Sequence, residues 1–247
     1  MKLLSGFMDL IYPSRCGVCG VFLREDGVIH EGQELDLCRP CFNSFVDVGS
    51  PICPVCGKPF ASGAGEDHLC ADCLATKPFF AIARAPYLYE GLLMTAIHEL
   101  KYARKTYLAR FLGPLLASYA AGWLGGPDGL LIMPVPLHPR RLRKRGFNQS
   151  LLLARHVAFS LKADLDYLSL RRTRFTQPQT ALSSEERKRN VRKAFDVVNT
   201  AGYRRRTVLL IDDVATTGST LNECAGVLKK AGVKDVYCLT LARTATG

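Results

Sequence analysis

The apolar positions of this chain follow two regimes. Through about residue 77 they are scattered, with no long periodic run. Beyond it they gather into blocks whose period switches between two and 3.6. "AIARAPYLYE", flanked by Pro78 and Gly91, reads as a strand or hairpin arm. "LLMTAIHELKYA" sets Leu92, Leu93, Ala96, Ile97 and Leu100 along one helical face. Leu108, Phe111, Leu112, Leu115, Leu116, Tyr119 and Trp123 recur at the same spacing and predict a buried helix. "LLIMPV" is a short continuous apolar run, the mark of a strand buried on both faces. A basic loop follows, then a helix from about Asn148 to Leu161. "SSEERKRN" has the form of a capping box, with Ser183 three residues before Glu186. "TVLLI" is a second buried strand, and a helix from Ser219 turns Leu221, Cys224, Ala225 and Leu228 inward before Gly232 stops it. "VYCLTLA" closes as a strand. Strands alternating with helices predict an α/β domain over residues 78–247, a mostly parallel sheet with helices on both faces.

No run of about 18 uninterrupted apolar residues occurs, which argues against a membrane span. "MKLLSGFMDLIYP", interrupted by Gly6 and Asp9, is too short for a signal-peptide core, so a cytoplasmic protein is expected. Charge sharpens the picture. Between His138 and Arg206 stand 18 Lys or Arg against 5 Asp or Glu, while the rest of the chain holds 15 against 17. The whole net charge of +11 therefore comes from one central segment, which favours a polyanionic ligand, phosphate-rich or nucleic acid.

The first 77 residues owe their order to cysteine. Eight of the ten cysteines form four C-x-x-C pairs, "CGVC", "CRPC", "CPVC" and "CADC". Two such knuckles complete a tetrahedral S4 zinc site. The simplest pairing is sequential, Cys16/Cys19/Cys38/Cys41 and Cys53/Cys56/Cys70/Cys73; a nested pairing and a single occupied site satisfy the spacing too. A closed S4 shell leaves no position for water, so the metal is structural, contributing stability that small zinc peptides put at about 10–16 kcal/mol. His68, two residues before Cys70, is expected as a surface residue and not a ligand.

In open α/β sheets ligands collect beyond the carboxyl ends of strands. Two loops there carry charge: "PVPLHPRRLRKRGFNQS" and "DDVATTGST". In the second, Asp212 and Asp213 emerge as "TVLLI" ends. Gly218 then allows a tight turn, and Thr216, Thr217, Ser219 and Thr220 add hydroxyls beside the first free amides of a helix. That is a phosphate cradle. Carboxylates next to a phosphate make sense if they hold hydroxyls of the same ligand or a Mg2+ ion, and a sugar phosphate meets both demands. A Walker B reading of "VLLIDD" fails because no G-x-x-x-x-G-K-[ST] occurs.

A hydrophobic strand, two acidic residues and "VATTGST" closely resemble the phosphoribosyl pyrophosphate (PRPP) motif of type I phosphoribosyltransferases. With the cysteine knuckles, "ELKYARK", "RGFNQ" and "RTRFTQPQTALSSEERKRNVRKAF", essentially the whole chain resembles the ComF family of competence-associated proteins, which includes GntX-like members. The resemblance implies a zinc-ribbon region with a short N-terminal helix over residues 1–77. It implies that Asp212 and Asp213 hold the ribose and that Ala215, Thr216, Thr217, Gly218, Ser219 and Thr220 hold the 5′-phosphate. Ser219 stands where many members have a second glycine. Pyrophosphate would meet Lys101, Arg140, Arg141 and Arg145, with Arg143 and Lys144 in the same basic stretch. Arg174, Gln179 and Arg187 would belong to a mobile loop covering bound PRPP. Mg2+ would accompany PRPP, and an active member would transfer ribose 5-phosphate to a nitrogen nucleophile. No segment for recognising a base stands out. The alternative is a catalytically silent fold that grips single-stranded DNA or docks on DNA-uptake proteins, with Phe147, Phe159 and Phe175 as stacking candidates, of which two are expected in the core.

Overall fold

The computed structural model describes residues 14–23, 27–30, 32–61, 63, 65–124, 129–176, 184–198, 202–203 and 205–245. The expected N-terminal helix, Ser183 of the capping box and Gln179 of the covering loop lie outside them.

Two turns of the same design open the chain. At the first knuckle the Cys16 amide donates to Val21 O and the Gly20 amide to Cys16 O, both at 2.8 Å. At the third, Cys53 donates to Lys58 O and Gly57 to Cys53 O, again at 2.8 Å. Gly20 (φ 77°) and Gly57 (φ 70°) supply the left-handed residue that each turn requires. The returning pairs each open a short helix: β1 (Gly27–His30) and β2 (Gln33–Cys38) form a hairpin leading to α1 (Arg39–Asn43), and Cys70 precedes α2 (Ala71–Ala75).

The larger part alternates as expected: β3 (Ile82–Arg84), β4 (Tyr87–Leu88), α3 (Gly91–Tyr102), α4 (Ala109–Leu124), β5 (Leu130–Pro134), α5 (Pro139–Arg145), α6 (Gln149–Ser160), β6 (Asp164–Leu165), β7 (Leu170–Arg172), α7 (Ser184–Val191), β8 (Phe195–Val197), β9 (Thr207–Ala215), α8 (Ser219–Lys230) and β10 (Asp235–Arg243). The main sheet runs β3-β10-β9-β5-β6 with every pairing parallel, and β4 also joins β10. Its residues alternate between two buried clusters. Leu209, Ile211, Leu239 and Leu241 face α3, α4 and α6, whereas Val208, Leu210, Val236 and Cys238 face α8 and the antiparallel β7–β8 pair. Cys16, Leu35, Leu37, Cys38 and Cys41 belong to the first of these clusters, so the cysteine region shares the interior of the sheet domain. The α4–α6 crossing is close because Gly113 faces His156, whose ring lies 2.2 Å from where a Cβ would stand. No helix among the described residues is long and apolar enough to cross a membrane.

Several details depart from the sequence pattern. Of the two readings of "AIARAPYLYE", strand holds and hairpin arm does not: β3 and β4 both run parallel to β10. Leu92 is 40% exposed while Leu93, Ala96, Ile97 and Leu100 are buried, because an arc containing all five is wider than the face α3 offers. The basic stretch after β5 is partly helical: Pro139 opens α5, His138 Nδ1 accepts from the Arg140 amide, and Gly146 (φ 89°) ends it. Phe159 (88%) and Phe175 (48%) are exposed, so at most Phe147 of the three phenylalanines serves the core.

Candidate functional site

The aspartate pair does not follow the strand; it lies within it. β9 continues through Asp212 and Asp213 to Ala215 because β10 stays alongside, with Thr240 opposite Asp212 and Ala242 opposite Val214. On the other side β5 stops at Pro134 opposite Ile211. Past that point β9 has lost one neighbour, and a cleft of about 750 Å3 opens beside it. Two elements hold the carboxylates. The Ser150 hydroxyl, in the first turn of α6, donates to Asp212 Oδ1 at 2.7 Å, and the Asp213 amide donates to the same oxygen at 2.9 Å. Lys101, at the end of α3, forms an ion pair with Asp213 Oδ2. Burial raises the pKa of Asp212, against the Ser150 hydrogen bond and the pull of Lys101. Burial also pushes Lys101 down to about 8, against the pull of Asp212.

The rest of the lining is strongly cationic. Lys101, Arg104, Arg140, Arg141, Lys144, Arg145 and Arg172 line the cleft together with Asp212 and Asp213. All four residues expected at pyrophosphate are thus brought to one place, while Arg143 is exposed on α5 and does not line the cleft. Aromatic rings steady the arginines: Arg145 lies 5.3 Å from the Tyr102 ring centroid, and Arg140 and Arg141 lie 5.6 and 5.8 Å from that of Phe175. Arg141 also donates to Thr176 O at 2.7 Å.

At the far end stands the turn into α8. Gly218 has φ 73° and precedes the helix, and the Thr217 and Ser219 hydroxyls bond to each other at 2.7 Å. Thr216 and Thr220 line the cleft; Ala215 is buried at the end of β9. Arg174 turns away from the cleft and donates to Asn190 O and Arg192 O, at 2.8 and 2.7 Å, tying the segment after β7 to the end of α7. Arg187 lies in α7, with its side chain outside the described residues.

Sequence reasoning missed Ser150, Arg104 and, above all, Arg172. Arg172 is only 7% exposed, donates to Thr176 Oγ1, and has an Nε without a partner among the described residues. Its signal was present: Leu170 and Arg172 face inward from β7 while Arg171 faces out, and an arginine on the inward face needs an anion.

The sulfurs gather in the sequential pairing. Cys16, Cys19, Cys38 and Cys41 form one set and Cys53, Cys56, Cys70 and Cys73 the other, each within 4.8 Å throughout. Cys19 and Cys38 Sγ are 3.7 Å apart, and Cys56 and Cys70 Sγ 3.6 Å. Four sulfurs at about 2.3 Å from one zinc ion stand roughly 3.8 Å apart, whereas a disulfide requires about 2.05 Å. Both sets fit structural zinc. His68 is exposed and stacks on Phe60 at 3.8 Å, apart from the ligand set.

A double zinc ribbon joined to a phosphoribosyltransferase-type sheet is thus the class that fold and sulfur sites define. Family comparison agrees: residues 7–74 match the double zinc ribbon domain and residues 148–247 the phosphoribosyl transferase domain. The chain is 34% identical over 242 residues to the DNA utilization protein YhgH of Escherichia coli K12, covering 95% of this chain and 99% of that one. It is 33% identical over 203 residues to competence protein F of Haemophilus influenzae, covering 78% and 85%. With competence protein ComFC of Streptococcus pneumoniae it shares 30% over 237 residues, covering 93% and 100%. The chain belongs to the ComF family.

Proposed function

We propose that the cleft binds PRPP or a closely related ribose phosphate. The observation that carries this reading is an aspartate pair, Asp213 buried and Asp212 half-buried, that shares one cleft with a glycine turn at a helix start and seven Lys and Arg side chains. Carboxylates accept hydrogen bonds from ribose hydroxyls, so Asp212 and Asp213 take the sugar. Amides and hydroxyls from Ala215 through Thr220, with Thr216, Thr217, Gly218 and Ser219 between, take the 5′-phosphate. Arg140, Arg141 and Arg145 supply planar forks to pyrophosphate oxygens, and Lys101 adds a point charge once it leaves Asp213. Arg174, Gln179 and Arg187 belong to the segment that would cover the ligand. In this reading residues 1–77 are the ribbon region and 78–247 carry the ligand site.

The donors suit Mg2+, which takes hard oxygens from one or two carboxylates and the rest from substrate phosphates. Bound with PRPP, it would neutralise charge on departing pyrophosphate. The chain's own contribution is electrostatic: buried carboxylates face the anomeric carbon as positive charge develops, and arginines face the leaving group. The physiological setting is DNA uptake or use, as the names of the relatives indicate.

Calorimetry with PRPP and Mg2+, comparing the wild-type chain with Asp212→Asn/Asp213→Asn, tests this directly. Binding by the wild type that weakens at least about 100-fold in the double variant is expected, since two charge-assisted contacts are lost at about 1.5–3 kcal/mol each. No binding by the folded, zinc-loaded wild type rejects the reading. A single-stranded DNA affinity that falls steeply with salt would then support the alternative of a silent scaffold on nucleic acid.

A further inference from the structure

One buried cation lies between the cleft and the second cysteine set, and the site described above does not use it. Arg243 ends β10 and is 5% exposed. Its guanidinium donates through Nη1 to Cys56 O, and its Nε has no hydrogen-bond partner among the described residues. No carboxylate pairs with it among the described residues; the negative groups acting on it are the sulfurs of Cys56, Cys53 and Cys70. A lone buried guanidinium is costly. Zinc held by four thiolates carries a net charge of about −2, which removes that cost.

The knuckle is fitted to this neighbour. Gly57 leaves room for this approach: a Cβ there would stand 2.6 Å from Ala83 O and 3.5 Å from Arg243 Nη1. The Ala83 amide donates to Val55 O at 2.8 Å, and Arg84 donates to Pro54 O at 2.9 Å, so the turn is laced to the sheet edge. The first set shares the same turn but not this partner: Arg15 and Arg39 beside it are exposed. From Arg243 the backbone leads straight to the cleft. Arg243 pairs with Ala215, its carbonyl accepts from the Tyr89 amide at 2.7 Å, and the next amide, Thr244, donates to Ala215 O at 3.0 Å. Tyr89, Thr244 and Thr216 line the cleft.

We propose that Arg243 is the counter-cation of the second zinc centre and the positioning residue through which metal there holds the phosphate end of the cleft. The second half of this statement rests on the PRPP reading; the first does not. Outer partners of metal ligands typically change affinity by about 10–100-fold. The full zinc-loaded chain is treated with a chelator and pulse-alkylated, and mass spectrometry reads which cysteines lose protection. Arg243→Gln is expected to expose Cys53, Cys56, Cys70 and Cys73 at least about tenfold faster than wild type, with the first set unchanged. Arg243→Lys, which keeps the charge, is expected to stay close to wild type. Equal rates for Arg243→Gln and wild type overturn the proposal. Should Arg243→Gln not fold, Arg243→Lys decides: rapid loss from the second set despite the retained charge overturns it as well. In calorimetry with PRPP and Mg2+, Arg243→Gln is expected to bind at least about tenfold more weakly, and unchanged affinity removes the link to the cleft. If the wild type binds no PRPP, the ligand reading fails while the alkylation result still decides the counter-cation role.

Discussion

Lys101 shows how much depends on a single proton. Its ammonium is mostly buried and pairs with Asp213, and burial lowers its pKa from 10.5 to about 8. In the unfolded chain it titrates near the ordinary value. Between those limits the unfolded chain binds a proton that the folded one does not, so raising the pH through this window favours folding. Below about pH 8 both states are protonated and the effect is flat. Wild type is therefore expected to gain stability between about pH 8 and 10 relative to Lys101→Met. Melting the two chains side by side across that range checks this, and parallel curves would contradict it. The acidic pair itself was legible in the sequence, since two aspartates ahead of a glycine turn make an unusual strand end. Its partners were not. Ser150 lies 62 residues before Asp212 and reaches it only because α6 packs on β9.

At the scale of elements, apolar periodicity was a reliable guide wherever burial alone decided the outcome. β5, the start of β9 and the inward faces of α3, α4 and α8 follow it. It failed where a neighbour decided. β9 runs past Ile211 because β10 continues beside it, and no local pattern announces that. α5 has no buried residue and so no apolar stripe to read; Pro139, the His138 cap and Gly146 define it instead. The α4–α6 crossing is also a property of a pair. A Cβ at Gly113 would meet His156 Cδ2 at 2.2 Å and Cβ at 3.0 Å, so Gly113→Ala must turn the His156 ring out of its place or push α6 outward. Overpacking of this kind costs about 1–3 kcal/mol, and each kcal/mol lowers Tm by roughly 2–4 °C in a chain of this size. A calorimetric Tm several degrees below wild type is expected. An unchanged Tm would mean that the crossing is looser than it looks.

Across the whole molecule the two cysteine sets play unequal parts. Gly17, in the first knuckle, lies against Phe111 and Leu108, with a Cβ position 2.7 Å from the Phe111 ring. Cys16, Cys38 and Cys41 are buried with α4 and β9 in one cluster. The ribbon is thus a wall of the main interior and not an appendage. A structural zinc contributes about 10–16 kcal/mol in small peptides, comparable with the whole stability of a typical domain at about 5–15 kcal/mol. Scanning calorimetry is expected to show one transition for the zinc-loaded chain, and its displacement as a unit after chelation. A high-temperature transition that survives chelation unchanged would show that the sheet domain stands alone.

That shared wall has a consequence for the protein in its cell. A chain whose interior is closed by a metal is counted as folded only while the metal is supplied, and proteases remove what is not. Zinc supply would then set the number of working copies before any ligand reaches the cleft.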